Sequence, residues 1–533
     1  MDRNGGDVVV ETLTGLGVSH VFGIPGQNAL GLFDAIRRSG LTFVSSRVEN
    51  NSAFGADGYA RATGDVGVLF LSTGPGALTA LGALQEAYAT GVPVLVIASQ
   101  VPRAAMGLRR GALHQLDDQA RSARNVTKST AVAMNSAQLP SLLADAWSLA
   151  QSAPAGPTWV EIPQDVLLDT AAVPPVTSVV TSVATRAPRE DVVAEAAALL
   201  DAAHRPVILA GGGVRRSPGG PQALVALAEL LDAPVVSTVG GKGAIGFDHP
   251  LSAGSWIEDR HTTDLLAGAD VLLAVGTAMG EVTSNYWSLQ PSGTIVHVDA
   301  EARVLGANHP ALAVHADAAR ALTAIAGLVT PRRATAGAGI AAALRAAVED
   351  RLASQDVGDE LALMRALRSA TPAAAQTFWD MTIAAYWAWS AWDPRDGQFH
   401  SAQGAGGLGF AFPAALAAAI GTGQRTLAVS GDGGAMYSIA ELATARQHDA
   451  DVTWLIVDDG GYGILREYMT EEFGQATATE LARPDFAALS TSFGVPAHTA
   501  TLADVGDVVA RTFDTRGPVV VILPATLRMF AAT

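Results

Sequence analysis

The chain of 533 residues contains no cysteine. That absence removes disulfide bridges, thiolate nucleophiles, cysteine-ligated zinc and iron–sulfur clusters together. It fits a cytoplasmic location. Basic residues are scarce: 34 Lys+Arg stand against 51 Asp+Glu, a formal net charge of −17. A surface this acidic repels phosphate backbones, so no nucleic-acid partner is expected. Long apolar runs are also missing. The most apolar stretch toward the C-terminal third, Gly409–Ile420, is short and contains Pro413. It predicts a core helix and not a membrane span. The opening residues, Met1 to Asp7, are polar and lack the basic-then-apolar order of a signal peptide. No membrane partner is expected.

What is present is a large supply of core. Hydrophobic residues make up 49% and charged residues 16%. Such a chain buries a sizeable interior, and its length predicts about three domains. The 55 glycines and the abundant alanine point to tight βα turns and close helix–sheet packing. Val18–Gly23, Leu41–Ser46, Val66–Ser72 and Val92–Ser99 read as strands, with helical spacing in Ala29–Ser39, Ser52–Thr63 and Ala77–Ala89. A strand at Thr158–Pro163 and a linker at Ala172–Pro188 follow. A second block carries strands at Pro206–Ala210, Val235–Val239, Val271–Val275 and Thr294–Val298. Arg332–Gly339 reads as a second linker. A third block has strands at Thr426–Ser430, Val452–Val457 and Val519–Leu523, and it resembles the first in size and texture. The alternation predicts an α/β fold of three doubly wound parallel-sheet domains, at 1–170, 189–330 and 355–533.

The strongest chemical signal lies in the third block. Gly431-Asp432-Gly433-Gly434 follows one strand. Asp459, 27 residues later, follows another within Asp459-Gly460-Gly461-Tyr462-Gly463. Two strand ends of this kind set two carboxylates side by side at the carboxyl edge of a parallel sheet, where ligands bind. Two carboxylates and a backbone carbonyl make a hard-oxygen site suited to Mg²⁺ and phosphate. The glycines let backbone N–H groups approach a phosphate. A lone Gly-Asp-Gly is an ordinary turn; the pairing is what raises it.

These residues resemble the thiamine diphosphate (ThDP) motif of the superfamily of acetohydroxyacid synthase, benzoylformate decarboxylase, pyruvate decarboxylase and benzaldehyde lyase. Similar motifs run along nearly the whole chain. Phe22-Gly23-Ile24-Pro25-Gly26 looks like the opening turn. Arg47-Val48-Glu49 with Ala56 to Gly64 resembles the segment of the catalytic glutamate. Ser72-Thr73-Gly74-Pro75-Gly76 matches as well, and Gly406 to Ala415 is similar to the segment gripping the aminopyrimidine. The resemblance implies pyrimidine-binding, middle Rossmann-like and diphosphate-binding domains. Glu49 would hydrogen-bond the pyrimidine N1′, favouring the tautomer that removes the reactive proton. Leu408 would wedge the cofactor into a bend, and the Gly406 carbonyl would face its amino group. Thr382, Gly433, Gly434, Tyr437 and Tyr462 would lie by the diphosphate, with Pro25, Gly26 and Thr73 in the first domain's share of the site. Asp432, Asp459 and the Gly461 carbonyl would ligate Mg²⁺.

Departures from the family pattern bear on the reaction. The family usually has Asn where Asp459 stands. The added charge beside a diphosphate repels by roughly 4 kcal/mol at about 4 Å and an effective dielectric of about 20. Tighter Mg²⁺ dependence or a neutralising neighbour is therefore expected. Val48 stands where His is frequent. Ser72 and the stretch Met279–Thr283 stand where benzoylformate decarboxylase has histidines. Where pyruvate decarboxylases carry a histidine pair, this chain has His114-Gln115. Gln115 resembles the glutamine of the ligases, which orients a carbonyl acceptor; His114 is a candidate general acid or an ordinary loop histidine. In the middle domain Gly211-Gly212-Gly213 resembles part of an FAD site, but the arginine expected near Thr277–Thr283 is missing, so FAD is not expected. The aromatic run at Tyr386, Trp387, Trp389 and Trp392 reads as helix packing, with the substrate entrance as an alternative.

The expectation is an enzyme that decarboxylates a 2-oxo acid and ligates the acyl carbanion to a carbonyl acceptor. A simple 2-oxo acid decarboxylase is the alternative, and a silent cofactor-binding paralogue a third. The resemblance implies a homodimer at least, with a homotetramer expected, and a site shared between subunits.

Overall fold

The computed structural model describes residues 3–171, 173–332 and 336–531. Three parallel sheets organise the chain. The first contains β1 (His20–Gly23), β2 (Thr42–Ser45), β3 (Gly67–Leu71), β4 (Val94–Gln100), β5 (Thr130–Val132) and β6 (Thr158–Pro163), in the order β2-β1-β3-β4-β6-β5. The second contains β7 (Pro206–Ala210), β8 (Val235–Ser237), β9 (Val271–Val275), β10 (Thr294–Asp299) and β11 (Leu312–His315), in the order β11-β10-β9-β7-β8. The third contains β12 (Gln376–Trp379), β13 (Gln398–Ser401), β14 (Thr426–Gly431), β15 (Val452–Asp458), β16 (Ala497–Thr499) and β17 (Val519–Pro524), in the order β13-β12-β14-β15-β17-β16. The first and third sheets share one strand order. The likeness of texture between those blocks is thus a likeness of topology.

The central strands β3, β4, β7 and β9 are buried along their whole length, as parallel strands covered on both faces must be. The first and third sheets meet through two helices, Glu49–Thr63 and Ala411–Thr422. The second is buried nearly all round, which explains its continuous apolarity. The crossing is close because both helices carry small residues. A methyl group on Gly58 would sit 2.3 Å from the Ala414 carbonyl oxygen. One hydrophobic cluster runs through this contact, joining Leu69, Val96 and Trp159 to Phe410, Ala414 and Trp454.

A buried ionic group secures the same junction. Arg61 pairs with Asp57 and with Glu86 (3.1 Å). Glu86 also accepts hydrogen bonds from the Gly404 and Ala405 N–H groups of the third unit, the latter at 2.7 Å. Those two residues lead directly into Gly406.

Several expectations shift. The helix read from Ser52 begins at Glu49, with extended Val48 as its N-cap, so Glu49 lies in the first helical turn. Strands β5, β11, β12, β13 and β16, of three or four residues each, are too short to show a period, and the sequence does not predict them. Residues 173–189 run without helix or strand, as the linker reading expects; Ala172 lies outside the described residues. The second linker is shorter than expected, since the helix Gly337–Ala353 absorbs its end; residues 333–335 lie outside the described residues. Among the described residues no helix is long and apolar enough to cross a membrane.

Candidate active site

In the third sheet the strand order reverses between β12 and β14, opening a crevice at the carboxyl ends of the strands. A cavity of about 500 Å³ lies there. Its lining includes Thr382, Gly406, Leu408, Gly433, Gly434, Tyr437, Asp459, Gly461 and Tyr462. The structure therefore gathers every candidate of the third block at one edge, with Asp432 beneath.

Each is placed by local backbone chemistry. Thr382 caps the helix Ile383–Ala391, its hydroxyl accepting from the Ala385 N–H. Gly406 and Gly409 have φ of +69° and +80°, a left-handed conformation that favours glycine and turns the chain so that Leu408 faces the cavity. At Gly433 a methyl group would meet the Tyr462 ring at 2.7 Å.

Asp432 opens the helix Asp432–Ser438 and is 2% exposed, yet neither carboxylate oxygen has a hydrogen-bond partner. Burial, and then the charge of Asp459, push its carboxyl up to about 6. Burial also raises Asp459, against the opposing pull of Arg466. A buried carboxylate with both oxygens unpartnered, facing the half-buried Asp459 and beside a backbone carbonyl at Gly461, fits a hard divalent cation such as Mg²⁺.

The extra charge of Asp459 has its neutralising neighbour. Arg466, one helical turn into Gly463–Phe473, lies 3.2 Å from Asp459 Oδ2 and 2.7 Å from Glu480. Sequence reading missed Arg466; its position seven residues after Asp459, at the start of a helix, was the available signal. It also missed Asp380, which directly follows the unread strand β12. Asp380 Oδ1 accepts from the Ala411 N–H at 2.9 Å, and burial pushes its carboxyl up to about 6.

The first block assembles separately. Gly26 lies against Ser72, Gly76 against Glu49, and Gly74 against His114. A methyl on these glycines would fall 2.2 Å from Ser72 Oγ, 3.0 Å from Glu49 Oε1 and 2.3 Å from the His114 carbonyl oxygen. Pro25, Gly26, Glu49, Thr73, His114 and Gln115 thus follow the strand ends of the first sheet, and none lines the third-sheet cavity. Thr73 is fully buried, its hydroxyl paired with Ser99 Oγ at 2.9 Å. The Gln115 amide ties its own loop, donating to Ala105 O (2.9 Å) and accepting from Ala112 N (3.2 Å). His114 is exposed, with φ of +66°. Apolar side chains stand exposed beside both half-sites: Leu108 and Leu113 in the first, Leu465 and Phe473 in the third.

The aromatic run divides. Trp387, Trp389 and Trp392 are buried, while Tyr386 lines the cavity. In the middle unit, Gly212, residues 276–278 and residues 280–283 line a second cleft of about 1020 Å³ together with Arg216, Asp299 and Arg303.

Repeated doubly wound sheets with a carboxylate pair at a strand-order reversal define an α/β protein with a ligand crevice at its sheet edge, and comparison with known proteins identifies its family. Residues 3–122 match the N-terminal TPP binding domain of thiamine pyrophosphate enzymes, 193–325 the central domain, and 380–523 the C-terminal TPP binding domain. The chain belongs to the thiamine pyrophosphate enzyme family and is a ThDP-dependent enzyme. A Pseudomonas aeruginosa protein named probable 2-ketoarginine decarboxylase is 35% identical over 500 residues, 92% of this chain and 88% of that protein. The Escherichia coli acetolactate synthase isozyme 2 large subunit is 30% identical over 94% of this chain and 91% of its own. The isozyme 1 large subunit is 28% identical over 92% and 88%.

Proposed function

We propose that this chain is a ThDP- and Mg²⁺-dependent enzyme that decarboxylates a 2-oxo acid and transfers the acyl group to a carbonyl acceptor. The observation that carries the reading is Asp432, buried with both carboxylate oxygens unpartnered, facing Asp459 at the glycine turns that line the cavity. ThDP, when bound, supplies the carbon that adds to the 2-oxo carbonyl and holds the electron pair left as CO₂ departs.

The protein's part is positioning and proton control. Asp432, Asp459 and the Gly461 carbonyl would hold Mg²⁺. Thr382, Gly433, Gly434, Tyr437 and Tyr462 would surround the diphosphate. Leu408 and the Gly406 carbonyl would set the bend and the pyrimidine orientation. Glu49 would hold a proton at pyrimidine N1′. Because Glu49 is not among the cavity's lining residues within one chain, the reading takes it from the partner subunit, in a homodimer or a tetramer of two such dimers. The units would span 1–170, 189–330 and 355–533, in a cytoplasmic protein without FAD.

Transfer is favoured over simple release because no histidine, lysine or arginine is among the cavity's lining residues, leaving proton delivery poorly supplied. A second reading, simple decarboxylation, is supported by the 35% identity to a protein named as a decarboxylase. Products decide between them. Holoenzyme given 2-oxo acids with and without an aldehyde is expected to yield hydroxyketone by NMR; free aldehyde alone would establish the second reading and make His114 the leading acid.

A further inference from the structure

Behind the cavity wall sits a carboxylate that the site above does not use. Glu258 belongs to the turn preceding the helix Arg260–Ala267 and is 3% exposed. Its Oε1 accepts from the Tyr286 hydroxyl at 2.7 Å, and its Oε2 is buried without a partner. The adjacent Asp259 shows what a settled buried acid looks like here, paired with Arg351 at 2.6 Å and His261 at 3.1 Å. No lysine, arginine or histidine lies within ion-pair distance of Glu258 among the described residues, and its carboxyl is raised by burial. A buried acid with a bare oxygen and no cation is costly, and such exceptions call for an explanation.

Three tyrosines stand near it, Tyr286 in direct contact. Burial raises Tyr286, Tyr386 and Tyr468, and the charge of Glu258 adds to each. Tyr386 and Tyr468 line the candidate cavity. Tyr286 is held by unusual backbone: Asn285, Tyr286 and Trp287 take φ of +48°, +52° and +68°, three successive non-glycine residues in the left-handed region. Strain of that kind persists where surrounding structure imposes it, and it clusters at ligand sites. A buried carboxylate with an unpartnered oxygen, bonded to one tyrosine and within electrostatic reach of two that line the cavity, has the chemistry to receive an organic cation. The net charge of −17 draws such a ligand in.

We infer that Glu258, with Tyr286, Tyr386 and Tyr468, is the specificity pocket for the substrate's side chain, and that the 2-oxo acid carries a guanidinium or ammonium group. The inference rests on the decarboxylation reading above for the substrate's other end. The bare Oε2 would accept from the cation, and the tyrosine rings would flank it.

The test uses full-length protein with ThDP and Mg²⁺. CO₂ release is measured from 5-guanidino-2-oxopentanoate and from uncharged 2-oxooctanoate of similar length. The wild-type kcat/KM is expected to favour the guanidino acid by at least about 30-fold, the worth of a charge-assisted hydrogen bond. Glu258→Gln is expected to shrink that ratio about 30-fold, with Glu258→Asp retaining part of it. In parallel, calorimetry on the same holoenzyme measures binding of 5-guanidinopentanoate, which lacks the oxo group and cannot react. An unchanged ratio in Glu258→Gln, or a wild-type preference for the uncharged acid, overturns the inference. If no 2-oxo acid releases CO₂, the decarboxylation reading fails. Binding then decides the pocket: tighter capture by wild type than by Glu258→Gln sustains it, and equal capture overturns it. Should Glu258→Gln fail to fold, Tyr286→Phe carries the same comparison. It keeps the ring and loses the hydrogen bond to Glu258, so a selectivity ratio identical to wild type would count against the pocket.

Discussion

At the scale of single residues, charge placement decides the most. Glu49→Gln preserves shape and a hydrogen-bonding end but cannot hold a proton as a carboxylate does. Turnover is expected to fall by about 10²–10⁴-fold, the usual worth of a positioned base, while ThDP still binds. Stopped-flow kinetics beside a cofactor titration read both quantities; wild-type turnover in the variant would remove Glu49 from its proposed role. Arg466 offers a sharper case. It pairs with Asp459, the residue that departs from the family's usual Asn. Arg466→Ala leaves that carboxylate uncompensated beside the diphosphate, and ThDP affinity at saturating Mg²⁺ is expected to drop about tenfold. Adding Asp459→Asn removes the charge and is expected to restore affinity to within about threefold, the signature of direct coupling. Independent, additive losses measured by fluorescence titration would show that Arg466 serves only Glu480.

At the scale of elements, the contact between helices Glu49–Thr63 and Ala411–Thr422 fixes the helix on which Glu49, the proposed proton holder, stands. Gly58 is where the two backbones come closest. Gly58→Ala would thrust a methyl group to 2.3 Å from the Ala414 carbonyl oxygen, so the helices must part. Overpacking of this kind costs about 1–3 kcal/mol, and the thermal midpoint is expected to fall by a few degrees. Gly55→Ala on the same helix is the control. Its methyl would meet nothing nearer than 3.4 Å, so helix propensity alone predicts equal or higher stability. A similar drop in both variants would mean that the close approach is not the cause. This contact also shows what the sequence could and could not tell. The buried helix was legible from continuous apolarity around Pro413, and the motif glycines were legible from strand–turn spacing. Strand β12 was not, because Gln376-Thr377-Phe378-Trp379 is too short to show a period. Asp380 was lost with it. Glu258 and Tyr286 were illegible for another reason. They stand 28 residues apart in turns and meet only through tertiary folding.

At the scale of the whole molecule, the question is which copy of the chain completes the site. Glu49 and the Asp432–Asp459 cavity lie on different sheets, and Glu49 does not line that cavity within one chain. Phe473, 74% exposed on the helix that follows the Asp459–Gly463 turn, and Leu108 and Leu113 near His114 leave apolar surface uncovered beside both half-sites. A twofold pairing that sets the first domain of each copy against the third domain of the other would cover both surfaces and make two equal sites. Mixed assembly tests that geometry directly. Glu49→Gln and Asp432→Ala chains are each expected to be nearly inactive as homodimers. Unfolded together and refolded, they form mixed dimers. In a shared-site arrangement, one site of each mixed dimer collects both defects and the other is wild type. With random pairing, about a quarter of all sites regain full function, so activity near a quarter of wild type is expected. If each chain built its site alone, every site in the mixture would carry one defect and no activity would return. Differently tagged chains, purified through both tags, isolate the mixed dimer and bring its expected activity to about half. A tagged mixed dimer that stays inactive, yet binds ThDP, would place Glu49 and Asp432 in the same subunit's site.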